Sequence, residues 1–239
     1  MKSKWHILRI FLMLILAGFL FSFSNKRNQE RKLTDVLVLF TNPKQPFIPM
    51  QTIQGLLTNN ADTLDFYIGD IKIKELEEKI LEHPMVANAE VYMSIDGILG
   101  AEITQRTPVG RCINKDGVMY IDELGDFMPL STNHSARVPL VYGVRDSLTR
   151  VDIMPLLLAI REDEYMKQSV VSVVHNKPDD IRLELRQKKL DVIIGSPENL
   201  EYKFRKLKGF IKYTQDNNTI EDYKVIDLKF NNQVVATKK

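Results

Sequence analysis

Residues 87–104 read Ala-Asn-Ala-Glu-Val-Tyr-Met-Ser-Ile-Asp-Gly-Ile-Leu-Gly-Ala-Glu-Ile-Thr, and this stretch predicts a β-hairpin. Apolar segments flank Asp96-Gly97, and an Asp-Gly pair between two such segments is a strong hairpin signal. Upstream, apolar residues recur at helical spacing in 50–57 and 72–82, and a short apolar strand is predicted at 36–40. The predicted order is strand, helix, helix, strand, strand, in which two helices cover one face of a small sheet.

A second domain is predicted after Arg106-Thr-Pro108, where the chain changes to short apolar segments separated by turn residues. Helices are predicted at 151–161 and from Ser196 onward, the second because serine, proline and glutamate follow one another in the positions that favour a helix N-terminus. We expect an α+β protein. A POTRA-like β-α-α-β-β module at 34–106 would precede a mixed α/β domain at 107–239 with a mainly antiparallel sheet.

The N-terminal segment 7–23 is apolar apart from Arg9 and Ser22. A helix over these residues would span roughly 26 Å, slightly less than a hydrocarbon core of ~30 Å. We predict an uncleaved transmembrane signal anchor at 7–24, followed by a polar linker at 25–33. The membrane-anchor residues are predicted to be Trp5, Ile7, Arg9 and Phe23, with Trp5 and Arg9 near the interface. The alternative is a signal peptide that is cleaved after Ser24.

Composition argues against several classes of protein. The chain has 33 Lys and Arg residues against 31 Asp and Glu residues, a net charge of +2. Lys2, Lys4 and Arg9 lie in the first 24 residues, so the remainder carries 30 − 31 = −1. A nucleic-acid-binding domain normally has a strong basic excess, so no nucleic-acid partner is predicted. Cys112 is the single cysteine, which excludes an intramolecular disulfide and a cysteine-based metal site.

The sequence contains none of the common catalytic motifs. Gly-x-Ser-x-Gly, a glycine-rich phosphate loop and His-Glu-x-x-His are all missing. The acidic pairs Asp122-Glu123 and Asp179-Asp180 would point to opposite faces of a strand, so neither pair can act as an acid and a base in one site. We predict a binding protein with no catalytic residue, no cofactor, no metal site and no small-molecule substrate.

The end of the chain is predicted to form an exposed sheet edge. In the strand predicted at 225–230, Ile226, Leu228 and Phe230 share one face that can pack on the core. A turn at Asn231-Asn232 would lead into a final strand, Gln233–Ala236. An edge strand presents unpaired N–H and C=O groups to which a partner strand can add. The predicted partner-binding residues are Phe230, Asn232, Gln233, Val234 and Val235. The alternative is that residues 233–236 simply complete the sheet.

Several segments resemble the motifs of one protein family. Residues 81–91, Leu-Glu-His-Pro-Met-Val-Ala-Asn-Ala-Glu-Val, are similar to the segment that ends the second helix of a POTRA module and begins its hairpin. Residues 102–108, Glu-Ile-Thr-Gln-Arg-Thr-Pro, and 120–130, Tyr-Ile-Asp-Glu-Leu-Gly-Asp-Phe-Met-Pro-Leu, are similar to the segments that follow. Gly195 before a basic helix and Ile-Asp-Leu-Lys-Phe at 226–230 complete the set. In this order, after a single N-terminal span, they resemble the FtsQ/DivIB family of bacterial cell-division proteins.

The resemblance implies a single-pass protein of the bacterial inner membrane, located at the division septum. Residues 1–6 would lie in the cytoplasm and the domains after the anchor in the periplasm. The resemblance also implies a non-enzymatic divisome scaffold that controls septal peptidoglycan synthesis by binding other division proteins. Partners of the FtsB/FtsL coiled-coil type would bind the β domain, and the POTRA module would help to localise the protein.

Two other functions stay open at the level of sequence. A POTRA-bearing periplasmic chaperone or transport protein would be expected to carry several POTRA modules or a C-terminal membrane barrel, and the sequence lacks a run of alternating lipid-facing strands. A signal-anchored periplasmic cell-wall hydrolase would need a nucleophile and a base in one pocket. Turnover of purified peptidoglycan would favour the hydrolase.

Overall fold

The computed structural model describes residues 2–43, 46–61, 66–115, 117–144, 147–177, 180–186 and 188–239. The chain divides into two compact units, Met1–Gln105 and Arg106–Lys239. The first unit contains, in chain order, α1 (Lys2–Gln29), β1 (Asp35–Phe40), α2 (Met50–Leu57), α3 (Ile73–Leu81), β2 (Val86–Met93) and β3 (Ile98–Gln105). The second contains β4 (Pro108–Asn114), β5 (Gly117–Asp122), β6 (Phe127–Met128), β7 (Leu140–Tyr142), α4 (Ser147–Glu162), α5 (Glu164–Ser169), β8 (Val170–Lys177), β9 (Asp180–Leu185), β10 (Lys188–Gly195), α6 (Leu200–Asp216), β11 (Tyr223–Asp227) and β12 (Val235–Lys238).

Helix α1 contains a stretch, Arg9–Gln29, that is long and apolar enough to cross a membrane. The Arg9 guanidinium lies 4.0 Å from the centre of the Trp5 ring, and Phe23 is exposed on the helix surface. Ile7 is helical, and its side chain lies outside the described residues. Such a helix with its apolar side chains exposed suits a lipid environment better than water.

The helix extends beyond the predicted anchor into the segment 25–33 that the sequence predicts as a linker. Residues 25–29 are helical, because they contain neither proline nor glycine to interrupt the hydrogen-bonded turns. Leu33, at the other end of the segment, is buried, and its N–H donates to the carbonyl of Phe66 at 2.8 Å. Between them, the Arg31 carbonyl accepts from the N–H of Ile68 at 2.9 Å and Lys32 forms an isolated bridge with Tyr67, so the predicted linker also contacts the first unit.

The first unit has the predicted β-α-α-β-β order. Its sheet runs β1-β3-β2, with β3 at the centre, parallel to β1 and antiparallel to β2. Helix α2 contacts β1 and α3 contacts β2, which buries Ile53 and Ile80 against the sheet. The β2–β3 hairpin turns at Gly97 with φ 83°, a left-handed conformation that glycine adopts without strain. The POTRA-like topology predicted from the hairpin is confirmed.

The second unit is built on a nine-stranded mixed sheet in the order β12-β11-β10-β9-β8-β7-β4-β5-β6. Most neighbouring pairs are antiparallel, and the parallel pairs are β4–β7, β7–β8 and β10–β11. Helices α4 and α6 contact one another and bury their apolar stripes in one core with the strands. Central members of this core are Leu156, Leu157, Leu207, Val173, Val192 and Ile226. The α+β class and the mainly antiparallel sheet agree with the prediction.

Candidate partner-binding edge

Strand β12 forms one edge of the nine-stranded sheet. It pairs antiparallel with β11 on one side, and it ends the strand order among the described residues. It begins at Val235, two residues later than predicted, and extends to Lys238. Gln233 and Val234 therefore precede the strand. Its outer side presents backbone groups that have no neighbouring strand in the described part of the chain.

One hydrogen bond next to β12, together with the alternation of an antiparallel strand, indicates which backbone groups of β12 face outward. The N–H of Lys239 donates to the carbonyl of Asp222 at 2.8 Å, so this N–H points towards β11. Direction alternates along an antiparallel strand, so the N–H groups of Val235 and Thr237 also point inward. The N–H and C=O groups of Ala236 and Lys238 then point away from the sheet. These two residues offer a short template for an added strand.

The two faces of β12 differ in their surroundings. Val234 packs against the core, and Ala236 on the same face is half-buried. The Lys238 ammonium lies 5.9 Å from the centre of the Tyr223 ring, on the face that carries α6. Val235 on the opposite face is 39% exposed. An added strand could therefore bury the Val235 side chain in addition to pairing with the backbone.

The connection before β12 projects Phe230 into solvent. Ile226 and Leu228 are fully buried, as predicted, but Phe230 is 47% exposed, and the prediction that it packs with them on the core is wrong. The reason is local: β11 ends at Asp227, whose carboxylate accepts a hydrogen bond from the N–H of Lys229 at 2.9 Å. This turn breaks the extended alternation, so Phe230 no longer shares the inward face.

The predicted partner-binding residues lie together on this surface. Phe230, Asn232 and Gln233 are exposed in the connection, Val234 is half-buried, and Val235 starts the strand. The connection and β12 thus form one surface segment, which we call the edge segment (residues 230–238). It combines an exposed aromatic ring, an exposed valine and outward-facing backbone groups.

Two lysines of α6 hold the backbone around the edge segment, and sequence reasoning missed both. The Lys206 ammonium donates to the carbonyls of Leu228, Phe230 and Asn231. The Lys203 ammonium donates to the carbonyls of Ile194 at 2.9 Å and Ser196 at 2.7 Å. No spacing of the lysines in the sequence signals that two of them bind carbonyl groups.

Burial and the nearby positive charge of Lys206 lower the pKa of Lys203, although Glu198 and Asp227 partly offset that effect. Lys203 is nearly buried, so its ammonium depends on the two carbonyl oxygens in place of water. Lys203 and Lys206 position the backbone through these carbonyl contacts.

The described residues contain no group of three or more His, Cys, Asp and Glu side chains that could hold a metal ion. Cys112 is buried, and burial raises the pKa of its thiol to about 11 despite the opposing charge of Arg150. A thiol with so high a pKa is a poor nucleophile at neutral pH.

Comparison with known proteins matches both units. A family model described as "FtsQ/DivIB, C-terminal related" matches residues 107–237, more than half of the chain, and a "POTRA-like domain" model matches residues 37–104. The Cell division protein FtsQ of Salinibacter ruber is 28% identical over 66% of this chain and 67% of its own length. The Cell division protein FtsQ of Rhodothermus marinus is 25% identical over 69% of this chain and 64% of its own length.

The chain thus spans about two thirds of the length of these relatives. Their names indicate a division protein rather than an enzyme. The family match covers the sheet of the second unit up to Thr237 in β12, so it includes nearly all of the edge segment. The chain therefore belongs to the FtsQ/DivIB family, and this membership implies a role in bacterial cell division.

Proposed function

We propose that this protein is a non-enzymatic scaffold of the divisome that controls septal peptidoglycan synthesis by binding other division proteins. Residues 1–6 lie in the cytoplasm, 7–24 cross the inner membrane, and 25–33 connect the anchor to the periplasmic units. The POTRA-like unit occupies 34–106 and the β domain 107–239. Family membership and the apolar α1 support this arrangement.

The observation that carries the proposal is the open outer side of β12 next to the exposed Phe230 ring. A partner of the FtsB/FtsL coiled-coil type adds a strand to the N–H and C=O groups of Ala236 and Lys238. Phe230 and Val235 supply apolar contacts to it, and the remaining contacts come from Asn232, Gln233 and Val234. An aromatic residue beside a row of unpaired backbone groups suits this mode, because the backbone supplies affinity and the side chains supply selectivity.

The first test is site-specific photo-crosslinking in the native host. A crosslinking residue at Phe230, Gln233 or Val235 in the full-length chain should capture short, single-span coiled-coil proteins, identified by mass. Capture of an outer-membrane or secreted client in their place would favour a chaperone. No capture at any of the three positions by a folded, membrane-inserted protein would contradict the edge-segment site.

A second test separates the backbone from the side chain. By the alternation along β12, Ala236→Pro should remove one outward backbone N–H and keep the hydrogen bonds to β11, whereas Ala236→Ser keeps that N–H and has a side chain of similar size. Removal of one backbone hydrogen bond and the steric block by the proline ring should weaken partner capture by roughly tenfold or more. The serine variant should capture partners like the wild type. Equal capture by both variants, at unchanged melting temperature, would refute strand addition.

A further inference from the structure

The second unit contains a cleft of about 390 Å³, separate from the edge segment. It lies where α5 runs into β8, where β9 ends, and beside the second half of α6. Leu185 and Ile211, both buried, form its apolar floor. Arg137, Arg186, Tyr165 and Gln215 also line it and are exposed. A cleft of this volume is large enough for a small molecule or a short piece of peptide.

Two contacts fix the walls of the cleft. The N–H of Arg186 donates to the carbonyl of Ser169 at 2.7 Å, which ties the end of β9 to the end of α5. The Lys208 ammonium lies 2.7 Å from a carboxylate oxygen of Asp163, which caps α5 by accepting from the N–H of Met166. The start of α5 is therefore joined to α6, and both helices contribute residues to the cleft. These contacts hold the walls of the cleft in place, which lowers the entropic cost of binding.

The polar groups that line the cleft carry an excess of positive charge. The guanidinium groups of Arg137 and Arg186 have no ion-pair or side-chain hydrogen-bond partner among the described residues. Among the described residues that line the cleft there is no carboxylate. The Gln168 amide, also in the lining, already donates to Glu164 at 2.6 Å. Two arginines without an acid thus border an apolar floor.

We propose that this cleft binds the carboxylate group of a peptide. A guanidinium fork matches the planar geometry of a carboxylate and binds it through two parallel hydrogen bonds. The Tyr165 hydroxyl and the Gln215 amide add neutral donors at the same rim. The floor of Leu185 and Ile211 favours a carboxylate carried on a small aliphatic group over a fully hydrated phosphate. The carboxylate comes from a peptide C-terminus or from an acidic side chain.

The test uses three probes with the full-length protein in detergent micelles, followed by saturation-transfer NMR. N-acetyl-Ala-Ala carries a terminal carboxylate, N-acetyl-Asp-Ala-amide a side-chain carboxylate, and N-acetyl-Ala-Ala-amide none. We expect saturable binding of at least one acid and none of the neutral amide. The stronger acid identifies the source of the carboxylate. Equal binding of the neutral amide, stronger competition by inorganic phosphate, or no saturable binding of either acid would overturn the proposal.

The variants Arg137→Gln and Arg186→Gln remove one charge each and keep a polar side chain. Each variant should lower the affinity for the acid probe by about tenfold, because a charged hydrogen-bond donor is replaced by a neutral one. Arg205→Gln is the matched control, since Arg205 is an exposed arginine of α6 that does not line the cleft. Undiminished binding by the Arg137→Gln/Arg186→Gln double variant, with the circular dichroism spectrum of the wild type, would also overturn the proposal.

Discussion

Replacing Asp122 with asparagine should destabilise the second unit. Asp122 is 1% exposed, and its carboxylate satisfies three donors in one turn. One oxygen accepts from the N–H groups of Leu124 at 3.0 Å and Asp126 at 2.8 Å, and the other accepts from the Arg106 guanidinium at 3.1 Å. The carboxylate thus joins Arg106, in the connection before β4, to the turn between β5 and β6.

Asparagine has almost the same shape as aspartate, so the change tests charge and hydrogen bonding without leaving a cavity. In either orientation of the amide, its NH₂ group faces a donor, either the backbone N–H pair or Arg106. Hydrogen bonds to a charged group contribute about 1.5–3 kcal/mol each, and loss of a buried ionic partner costs up to about 3–5 kcal/mol. We expect the free energy of unfolding of the second unit to fall by about 2–4 kcal/mol. With a urea slope of about 2 kcal/mol per molar, the unfolding midpoint should fall by about 1–2 M.

The assay is urea unfolding of the full-length chain in detergent micelles, followed by far-ultraviolet circular dichroism. Asp126→Asn is the control, because the Asp126 side chain is 56% exposed and lies 3.8 Å from the same Arg106. Exposed ion pairs contribute at most about 1 kcal/mol, so the control midpoint should stay close to that of the wild type. A midpoint for Asp122→Asn equal to that of the control would refute the account of this turn.

Two other groups give predictions that depend on ionisation. Between the lowered pKa of Lys203 in the folded protein and its ordinary value of 10.5, the unfolded chain binds more protons, so the free energy of unfolding should rise with pH. Urea unfolding at a series of pH values in this range should show no such rise for Lys203→Met. Equal slopes of the free energy of unfolding against pH in the variant and the wild type would contradict the lowered pKa of Lys203. Cys112, with a thiol pKa of about 11, should be only about 0.1% thiolate at about pH 8. Maleimide should therefore label the native protein roughly 100-fold more slowly than the urea-unfolded protein, and comparable rates would show that the thiol is not buried.

Local signals in the sequence predicted the elements of the first unit well, although its β1–β3 pairing joins distant parts of the chain. The Asp96-Gly97 pair sets the β2–β3 hairpin, and the backbone of Gly97 has the left-handed conformation that this turn needs. The helical spacing of Ile53 and Ile80 likewise corresponds to their burial against the sheet. Each of these features depends on neighbours within a few residues, so one sequence is sufficient to predict them.

The start of α6 shows where local signals fail. Ser196 and Pro197 have the residue types of a helix N-terminus, but the helix begins at Leu200, after Asn199 in a left-handed conformation with φ 51°. The Lys203 ammonium binds the carbonyl of Ser196 and holds this segment against the end of β10. A contact made by the first turn of the observed helix therefore accompanies the loss of the locally preferred start.

Helix α4 departs from its prediction in a related way. The sequence places Pro155 in the first turn of a helix that starts at Val151, whereas the helix begins at Ser147 and Pro155 lies in its interior. Val151 is 66% exposed and Pro155 is also exposed, so the backbone carbonyl that loses its intrahelical donor faces solvent. Solvent can satisfy that carbonyl, which makes an interior proline tolerable there.

The candidate sites differ in how far the sequence could predict them. The edge segment is contiguous, so its exposed residues could be predicted from the last strand and the turn before it. The exposure of Phe230 could not be predicted from the sequence, because it depends on the residue at which β11 ends. The cleft draws Arg137, Tyr165, Arg186 and Gln215 from four separate segments that only the sheet order brings together. No spacing in the sequence signals such a site.

The position of the edge segment depends on the core through α6. Leu207 and Ile211 fix this helix in the core, and Lys206 on the neighbouring position holds the carbonyls of Leu228, Phe230 and Asn231. Three acceptors on one ammonium leave the backbone before β12 little freedom, so the Phe230 ring is displayed at a defined place before any partner binds. A pre-ordered template costs a partner less conformational entropy than a frayed terminus would. The same helix lines the cleft with Ile211, so the rigid core supports both candidate binding sites.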